Sequence, residues 1–397
     1  MNITNNSIGA RRHLMGTPQI SAGMPPRMKV MHVVDTLGLG GAERMAVEIA
    51  NSLHEQKFKV YLCATRIGGP LEGSLCQGVN CLILGRRGRW DFAKMREFTR
   101  FVRREGIDII HSHGRGTMKF VSLCRMLGRL PIRHVFHDHY NQIQVHDSIT
   151  LDLKLSSKLG VDAYIGVDQL LCDWARKLGI PNDRIHLVRN GVNLQYFEKA
   201  KPINVRAEFH IPDNCVVLVM VANFRPEKDH PSLFRALASC RERNRIKLLL
   251  IGVYTNSVVS HYQVCLRLIK ELGLSDCVIV LGERNDVPRV LAGCDGGILS
   301  SSGESGPVVL LEYMAAGLPY VVTDTGEITR AVRNSGTGFT VPAGNPLAMS
   351  AAIDRLTTMS MTERQTMGQR GRDLVFREFD VRICVQKICQ IYHGLVH

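Results

Sequence analysis

The stretch MKVMHVVDTLGLGGAERMAVEIANSLHEQ (residues 28–56) contains the pattern on which the fold depends. Its first seven residues are mostly apolar and predict a buried strand, which a glycine-rich loop joins to the amphipathic helix GAERMAVEIANSLHEQ. The same order of apolar strand, loop and helix recurs along the chain. Strands that alternate with helices at this spacing predict an α/β protein with parallel sheets covered on both faces.

The repeats form two sets, which predicts two domains. The first set continues through KVYLCAT, NCLILG, DIIHSH, RHVFHDH, AYIGV and IHLVRNGV; after about residue 205 the second set contains CVVLVMVANF, KLLLIG, CVIVLG, GGILSS, YVVTD and GFTVP. A chain of 397 residues is also too long for one ordinary core. We therefore predict a disordered extension (1–26), two Rossmann-like domains (27–200 and 201–378) and a final helix (379–397) that packs on another surface.

The composition excludes several protein classes. An apolar fraction of 45% and a charged fraction of 22% are typical of a soluble globular protein, and no apolar run approaches the roughly 18 residues of a membrane span. The opening residues lack the apolar centre of a secretory signal. The twelve cysteines show neither a C-x-x-C pair nor metal-ligand spacing. We expect reduced thiols and a cytoplasmic protein.

The net charge of +14 is concentrated in the first half, where residues 1–200 contain 28 Lys and Arg against 17 Asp and Glu. This imbalance predicts an anionic partner. The segment GRRGRWDFAKMREFTRFVRR (85–104) holds eight basic residues, and Phe92, Met95, Phe98 and Val102 mark one apolar helical face. That face is either core or a surface for anionic lipid, which would make the protein peripheral to the membrane. No nucleic-acid motif accompanies the charge, so no nucleic-acid partner is expected.

Ligands of parallel sheets bind beyond the carboxyl ends of the strands, which directs attention to the loops there. The loop DTLGLGGAER (35–44) opens a helix, and its glycines allow backbone N–H groups to approach a phosphate. It is not a dinucleotide fingerprint, because Glu43 stands where the third glycine is needed, and it lacks the GK[ST] of a P-loop. A phosphate site and a plain tight turn both remain open.

Two further loops carry charges that suit a nucleotide-sugar. In ANFRPEKDH (222–230), Arg225 and Lys228 follow a very apolar strand and could bind a diphosphate, or could belong to a solvated turn. In SSSGESGPVVLLEYMAAGLPYVVTDTGE (300–327), Glu304 lies in a loop and Glu312 on the helix that follows. Such carboxylates are costly near an apolar face unless they are paired or bind hydroxyls. The alternative is that Glu304 caps the helix and Glu312 forms a salt bridge.

Paired histidines occur in HSH (111–113) and HDH (137–139). Strand alternation places His111 with His113, and His137 with His139, on common faces. Four histidines could suggest a metal site, but no cysteine or carboxylate accompanies them at ligand spacing, since Asp138 faces the other way. Hydrogen bonding or proton transfer at the cleft is the favoured interpretation.

These motifs follow one another in a familiar order. GLGGAER, DIIHSH, VFHD, RNGV, RPEKDH, GERNDVP and the E-x7-E stretch with its AGLP tail, over residues 28–397, resemble the retaining glycosyltransferases of the GT-B fold, family 4. The resemblance implies two Rossmann-like doubly wound domains that face each other across a cleft. It also implies that the C-terminal helix crosses back to the first domain.

The resemblance further implies transfer of a hexose-type sugar from a nucleotide-diphosphate donor, with UDP favoured, to a saccharide or lipid-linked acceptor. Such enzymes build polysaccharide, lipopolysaccharide or glycolipid. By this resemblance Glu312 holds the ribose, Glu304 the transferred sugar, and Arg225 with Lys228 the diphosphate. The other donor contacts implied are Gly40, Gly41, Glu283, Arg284, Ser305, Gly306 and Val308. His137 would contact the donor sugar, with His113 and His139 on the acceptor side, and no metal or other cofactor would be required.

The sequence departs from the family pattern at two positions, and other classes remain open. Asn223 stands where the family places its diphosphate arginine, so that Arg225 lies three residues before Lys228 instead of five. The usual E-G-F-P is E-S-G-P here, which removes an aromatic residue beside the donor sugar. The alternatives are a sugar-nucleotide epimerase of the same fold, which would need a dedicated acid/base pair, and a non-catalytic binding protein.

Overall fold

The computed structural model describes residues 28–56, 58–140, 148–253 and 259–396. The extension predicted at residues 1–26 lies outside these ranges. Within them the chain forms two parallel sheets, each covered by helices on both faces. None of the helices in the described ranges combines the length and apolarity needed to cross a bilayer.

The first sheet has seven parallel strands in the order β3-β2-β1-β4-β5-β6-β7. Its strands are β1 (Lys29–Thr36), β2 (Lys59–Ile67), β3 (Asn80–Ile83), β4 (Ile109–His113), β5 (Arg133–Asp138), β6 (Ala163–Gly166) and β7 (Ile185–Leu187). Its helices are α1 (Gly41–Glu55), α2 (Phe92–Glu105), α3 (Arg115–Gly128), α4 (Leu151–Gly160), α5 (Gln169–Lys177) and α6 (Leu194–Glu198). The strand order reverses between β1 and β4, which creates a crevice at the carboxyl edge.

The second sheet repeats this plan with six strands in the order β10-β9-β8-β11-β12-β13. Its strands are β8 (Val216–Val221), β9 (Ile246–Ile251), β10 (Val278–Gly282), β11 (Gly296–Leu299), β12 (Tyr320–Thr323) and β13 (Gly338–Val341). The helices are α7 (Val205–Glu208), α8 (His230–Ala238), α9 (Val259–Glu271), α10 (Val287–Leu291), α11 (Val308–Ala315), α12 (Gly326–Val332), α13 (Pro346–Thr358), α14 (Met361–Glu378) and α15 (Val381–Val396). The prediction of two doubly wound parallel sheets is confirmed.

The last helix, α15, packs on the first domain, as predicted. Val385, Ile388 and Tyr392 are fully buried in the core that α1 forms with the first sheet. The Tyr392 hydroxyl lies 2.5 Å from His111 Nδ1 on β4, and its ring meets the edge of Phe58. The apolar face of α15 therefore completes the first domain's core, although its sequence follows the second domain.

The chain passes between the two domains twice, and these two segments run side by side. Val192 donates its N–H to the Phe379 carbonyl at 2.9 Å and accepts the Val381 N–H at 3.0 Å. A Cβ on Gly191 would stand 2.6 Å from the Val381 Cα, so this close approach requires glycine. The boundary predicted between residues 200 and 201 falls between α6 and α7.

Candidate active site

A cavity of about 400 Å³ lies where the carboxyl edges of the two sheets face each other. Every donor-binding residue predicted from the sequence lines it: Gly40, Gly41, Arg225, Lys228, Glu283, Arg284, Glu304, Ser305, Gly306, Val308 and Glu312. His139 also lines it, whereas His113 and His137 do not. The fold thus brings together loops that are far apart in the sequence.

Glu304 and Lys228 form a close pair on the second-domain wall. Lys228 Nζ donates to Glu304 Oε1 at 2.5 Å, and Ser301 Oγ donates to the same oxygen at 2.7 Å. The carboxylate is almost completely buried, yet it borders the cavity. A carboxylate that could accept sugar hydroxyls therefore adjoins a cation that could bind a phosphate.

Glu312 forms an ion pair across the two domains. It lies on α11, and its Oε1 is 3.4 Å from Nη1 of Arg44 on α1. Burial raises the pKa of the Glu312 carboxyl, and the nearby Arg44 guanidinium opposes that rise. The salt bridge anticipated as the alternative is thus present, and both side chains also line the cavity. Arg44 was not among the residues predicted from the sequence, although it stands in the GGAER motif.

The glycine loop before α1 is occupied by a carboxylate of the same chain. A Cβ on Gly40 would stand 2.0 Å from Glu43 Oε2, so glycine at this position lets Glu43 fold back over the loop. A Cβ on Gly41 would have no atom within 4 Å. Burial raises the pKa of Glu43, while Arg225 acts in the opposite direction. A phosphate at this helix N-terminus would have to share the space with Glu43.

The side chain of Arg284 is already engaged by two acids. It donates two hydrogen bonds to Asp286, both at 2.8 Å, and a third to Glu208 at 3.0 Å. The carboxylates raise the pKa of the Arg284 guanidinium, with Asp286 contributing most. Any contact of Glu283 and Arg284 with a base is therefore better assigned to their backbone than to this guanidinium.

The loop after Glu304 is tied to the first domain. Asn190 Nδ2 donates to the Gly306 carbonyl at 2.8 Å, and Ser305 Oγ donates to the His139 carbonyl at 3.4 Å. A Cβ on Gly306 would stand 2.9 Å from Asn190 Nδ2. Asn190 belongs to the RNGV motif, so its role at the cavity could have been sought from the sequence.

The predicted histidines share one face of the first sheet with a fifth, His32 on β1. His113 Nε2 lies 2.9 Å from His32 Nδ1, and His113 Nδ1 lies 3.1 Å from His139 Nε2. Both nitrogens of His137 are buried without a hydrogen-bond partner among the described residues, and its ring packs 4.2 Å behind that of His139. The structure thus places His139 on the cavity wall and His137 behind it.

These histidines are held neutral. Burial lowers the pKa of His32 and of His139 to about 3. Burial, together with the neighbouring histidines, also lowers the pKa of His111, His113 and His137 well below 6.5. A neutral imidazole at the cavity can donate or accept a hydrogen bond, but it does not supply a positive charge to a diphosphate.

The same histidines form two of three His or Cys groups in the described residues whose ligand atoms lie within 4.8 Å of one another. The rings of His113 and His139 are stacked at 17°, and those of His137 and His139 are tilted by 31°. Both ring nitrogens of His113 already lie within hydrogen-bonding distance of neighbouring histidines, His32 and His139. Sugar transfer without a metal stays a prediction.

Sequence comparisons match both domains to known families. The model described as Glycosyltransferase Family 4 matches residues 39–196, and the model described as Glycosyl transferases group 1 matches residues 203–374. N-acetyl-alpha-D-glucosaminyl L-malate synthase of Bacillus anthracis is 27% identical over 314 residues, which span 77% of this chain and 80% of that protein. UDP-Gal:alpha-D-GlcNAc-diphosphoundecaprenol alpha-1,3-galactosyltransferase of Escherichia coli is 24% identical over 390 residues, 93% of this chain and 98% of that protein.

Solved structures show the same fold. Anabaena Alr3699/HepE in complex with UDP and glucose superposes with a TM-score of 0.78 at 18% identity, covering 93% of this chain and 100% of that one. WaaG, a glycosyltransferase involved in lipopolysaccharide biosynthesis, superposes with a TM-score of 0.71 at 16% identity over 92% and 100%. The chain therefore belongs to the group 1, family 4 glycosyltransferases, and it is a transferase of the GT-B fold.

Proposed function

We propose that this enzyme transfers a hexose-type sugar, with retention, from a UDP-sugar to a saccharide carried on a lipid. The observation that carries the proposal is the cavity in which Glu304, Lys228 and Glu312 line one interdomain space. The relative from E. coli, which matches almost its whole length, is named for a UDP-sugar and a diphosphoundecaprenol acceptor. Synthesis of a polysaccharide, lipopolysaccharide or glycolipid is the corresponding role.

In the proposed reaction the acceptor hydroxyl oxygen bonds to the anomeric carbon as the bond from that carbon to the UDP oxygen breaks. The acceptor's proton passes to the leaving diphosphate on the same face, so no protein nucleophile is needed. Lys228 and Arg225 neutralise the charge that grows on the diphosphate. Glu304 accepts hydrogen bonds from the sugar hydroxyls, and Glu312 accepts them from the ribose.

The histidines have a supporting role in this proposal. His139 lines the cavity as a neutral ring and can hydrogen-bond to the transferred sugar or to the acceptor. His137, predicted from the family as the sugar contact, supports His139 from behind in this arrangement.

We also propose that the enzyme works on the cytoplasmic side of a membrane, as a peripheral protein. The excess of Lys and Arg in residues 1–200 supports this location, because anionic lipid attracts such charge. A lipid-linked acceptor would require it, since the acceptor cannot leave the bilayer.

Calorimetric titration with UDP, GDP and ADP, each with and without EDTA, tests the donor assignment. We expect UDP to bind in both conditions, Glu312→Ala to weaken binding about tenfold or more, and Glu304→Ala to affect turnover more than nucleotide affinity. Glu97→Ala, which removes an exposed carboxylate on α2, is the control. Equal UDP affinity of the wild type and the Glu312 variant would contradict the ribose assignment.

Product analysis separates the alternatives. Incubation with a UDP-sugar and a lipid extract should give a glycosylated lipid whose anomeric configuration matches the donor. A sugar epimerised at a ring carbon and formed without acceptor would instead indicate an epimerase. UDP binding that never leads to any product would indicate a binding protein.

A further inference from the structure

The outer surface of α4 carries an exposed apolar stripe. Leu151, Leu155 and Leu159 recur every four residues, so they lie on one face of the helix, and each is between 49% and 72% exposed. The stripe is about 12 Å long at the rise of an α-helix. Lys154 and Lys158 are also exposed and lie between the leucines. The opposite face of α4 is buried through Leu153 and Ser157.

Other exposed apolar side chains extend this stripe at both ends. Trp90 and Phe92 are exposed beyond its start, and the Arg89 guanidinium, 2.7 Å from Asp152, ties their loop to α4. Met126 and Leu127 are exposed at the end of α3. Helix α3 runs beside α4, because Ser122 Oγ donates to the Ser156 carbonyl at 3.2 Å and Arg125 Nη1 donates to the Gly160 carbonyl at 3.4 Å.

The charges around this stripe are basic. Asp152, the only acidic residue of α4, is neutralised by both Arg89 and Lys119, at 2.7 and 2.8 Å. Lys154 and Lys158 have no ion-pair partner among the described residues, and the same holds for Arg129 beside Leu127. Leucines separated by free cations are typical of a helix that lies in the headgroup region of an anionic bilayer.

The sequence predicted a possible lipid-binding face on a different helix, α2. In α2 the apolar positions Met95, Phe98 and Val102 are buried in the core of the first domain, and Phe92 alone of the predicted face is exposed. The basic residues of α2 thus lie on a helix without an apolar outer face. The leucines of α4 provide that face instead.

We infer that α4, with Trp90, Phe92, Met126 and Leu127 around it, is the surface through which the enzyme docks on an anionic membrane. This inference rests on the proposed function, because a lipid-linked acceptor requires the enzyme to reach the bilayer. Strand β5, which precedes α4 in the chain, leads to His139 on the cavity wall. The docking surface and His139 on the cavity wall thus belong to the same domain.

Vesicle sedimentation tests this surface with the full chain. The wild type should bind vesicles of phosphatidylcholine mixed with phosphatidylglycerol, and should bind pure phosphatidylcholine much more weakly. The double variant Leu155→Ser/Leu159→Ser should reduce the partition coefficient about tenfold or more, because two inserted side chains are lost. Lys154→Glu/Lys158→Glu should abolish the preference for the anionic vesicles. Leu347→Ser is the matched control, since Leu347 is 74% exposed on α13 of the second domain.

Calorimetry with UDP keeps this test separate from the proposed function. All of these variants are at the surface and should bind UDP as the wild type does. No wild-type binding to either vesicle, or equal binding by wild type and the leucine variant, would overturn the docking surface and leave the donor site untouched. A change from dimer to monomer in the leucine variant, with vesicle binding unchanged, would assign the surface to self-association and would also overturn it.

Discussion

We expect the buried, ionised carboxylate of Glu312 to destabilise the folded protein. Its proposed role in ribose binding would explain why an acid stands at this position. Burial raises the pKa of this carboxyl above its usual 4.5, so the ionised form is disfavoured in the folded protein. Glu312→Gln should raise the free energy of unfolding at pH 7, because it removes a charge that burial disfavours. The gain should vanish as the pH falls below 4.5, where the carboxyl is protonated in both states.

Urea unfolding of the wild type and the Gln variant at matched pH checks this expectation. Glu97→Gln, which removes an exposed charge, should leave the stability within about 0.5 kcal/mol of the wild type. A Gln variant that is less stable at pH 7 would mean that the ion pair with Arg44 outweighs the cost of burial. Calorimetry on the same sample should still show weakened UDP binding.

The placement of a residue at the cavity could be predicted from the sequence where the residue lies in a loop that directly follows a strand. Glu304 and Lys228 each follow the carboxyl end of a strand, and the sequence was sufficient to place them at the cavity. Arg44 could not be predicted, because its partner Glu312 lies 268 residues away on the other domain. Strand alternation likewise predicts that His137 and His139 share one face of the sheet. Which of the two rings reaches the cavity depends on the residue at which β5 ends.

At the scale of elements, the histidine face of β1, β4 and β5 should make the protein sensitive to acid. Five histidines there are neutral when folded but have ordinary pKa values near 6.5 when unfolded. Because the unfolded chain binds more protons, stability should fall as the pH drops from about 6.5 towards 3. His32 and His139, whose pKa in the folded protein is about 3, should each lower the free energy of unfolding by about 1.4 kcal/mol per pH unit within this window.

The free energy of unfolding measured from pH 7 to pH 5 checks this sensitivity. His139→Gln should make the slope shallower by roughly the share of one histidine. His210→Asn is the control, because His210 is exposed and has a φ of 52°, which asparagine tolerates. A slope that neither variant changes would show that other groups cause the acid loss.

The elements themselves were predictable because strand and helix periods are local properties of the sequence. The stripe on α4 was not predictable in the same way. Leucines four residues apart have the same pattern whether a helix buries them or exposes them. Only the packing of α4 on α3 through its other face, at Leu153 and Ser157, determines that Leu151, Leu155 and Leu159 face outwards.

At the scale of the molecule, the two segments that join the domains depend on Gly191. Gly191→Ala would bring a methyl group to 2.6 Å from the Val381 Cα and would separate the two chain segments that Val192 joins. We expect thermal unfolding to show a loss of about 2 kcal/mol or more. Gly394→Ala, in α15 with nothing within 4 Å, should be neutral or slightly stabilising. If both substitutions changed the stability equally, Gly191 would have no special role where the two chain segments run side by side.

Two buried carboxylates each pair with an arginine of the other domain. Asp168 at the start of α5 accepts two hydrogen bonds from Arg330 of α12, both at 2.7 Å, and Glu327 of α12 accepts from Arg189 at 2.8 Å. Keeping either acid buried without its arginine would cost about 3–5 kcal/mol, which separation of the domains would avoid. Arg189→Ala/Arg330→Ala should therefore open the cleft.

Small-angle scattering should detect this opening as a larger radius of gyration than that of the wild type. Saturating UDP should restore part of the closure if the nucleotide contacts both domains, as Arg44 and Glu312 would require. Arg333→Ala is the control, because Arg333 pairs with Asp324 inside the second domain and the charge change per site is the same. An unchanged radius in the double variant would mean that the chain crossings and the loop contacts of Asn190 and Ser305 suffice to keep the domains closed.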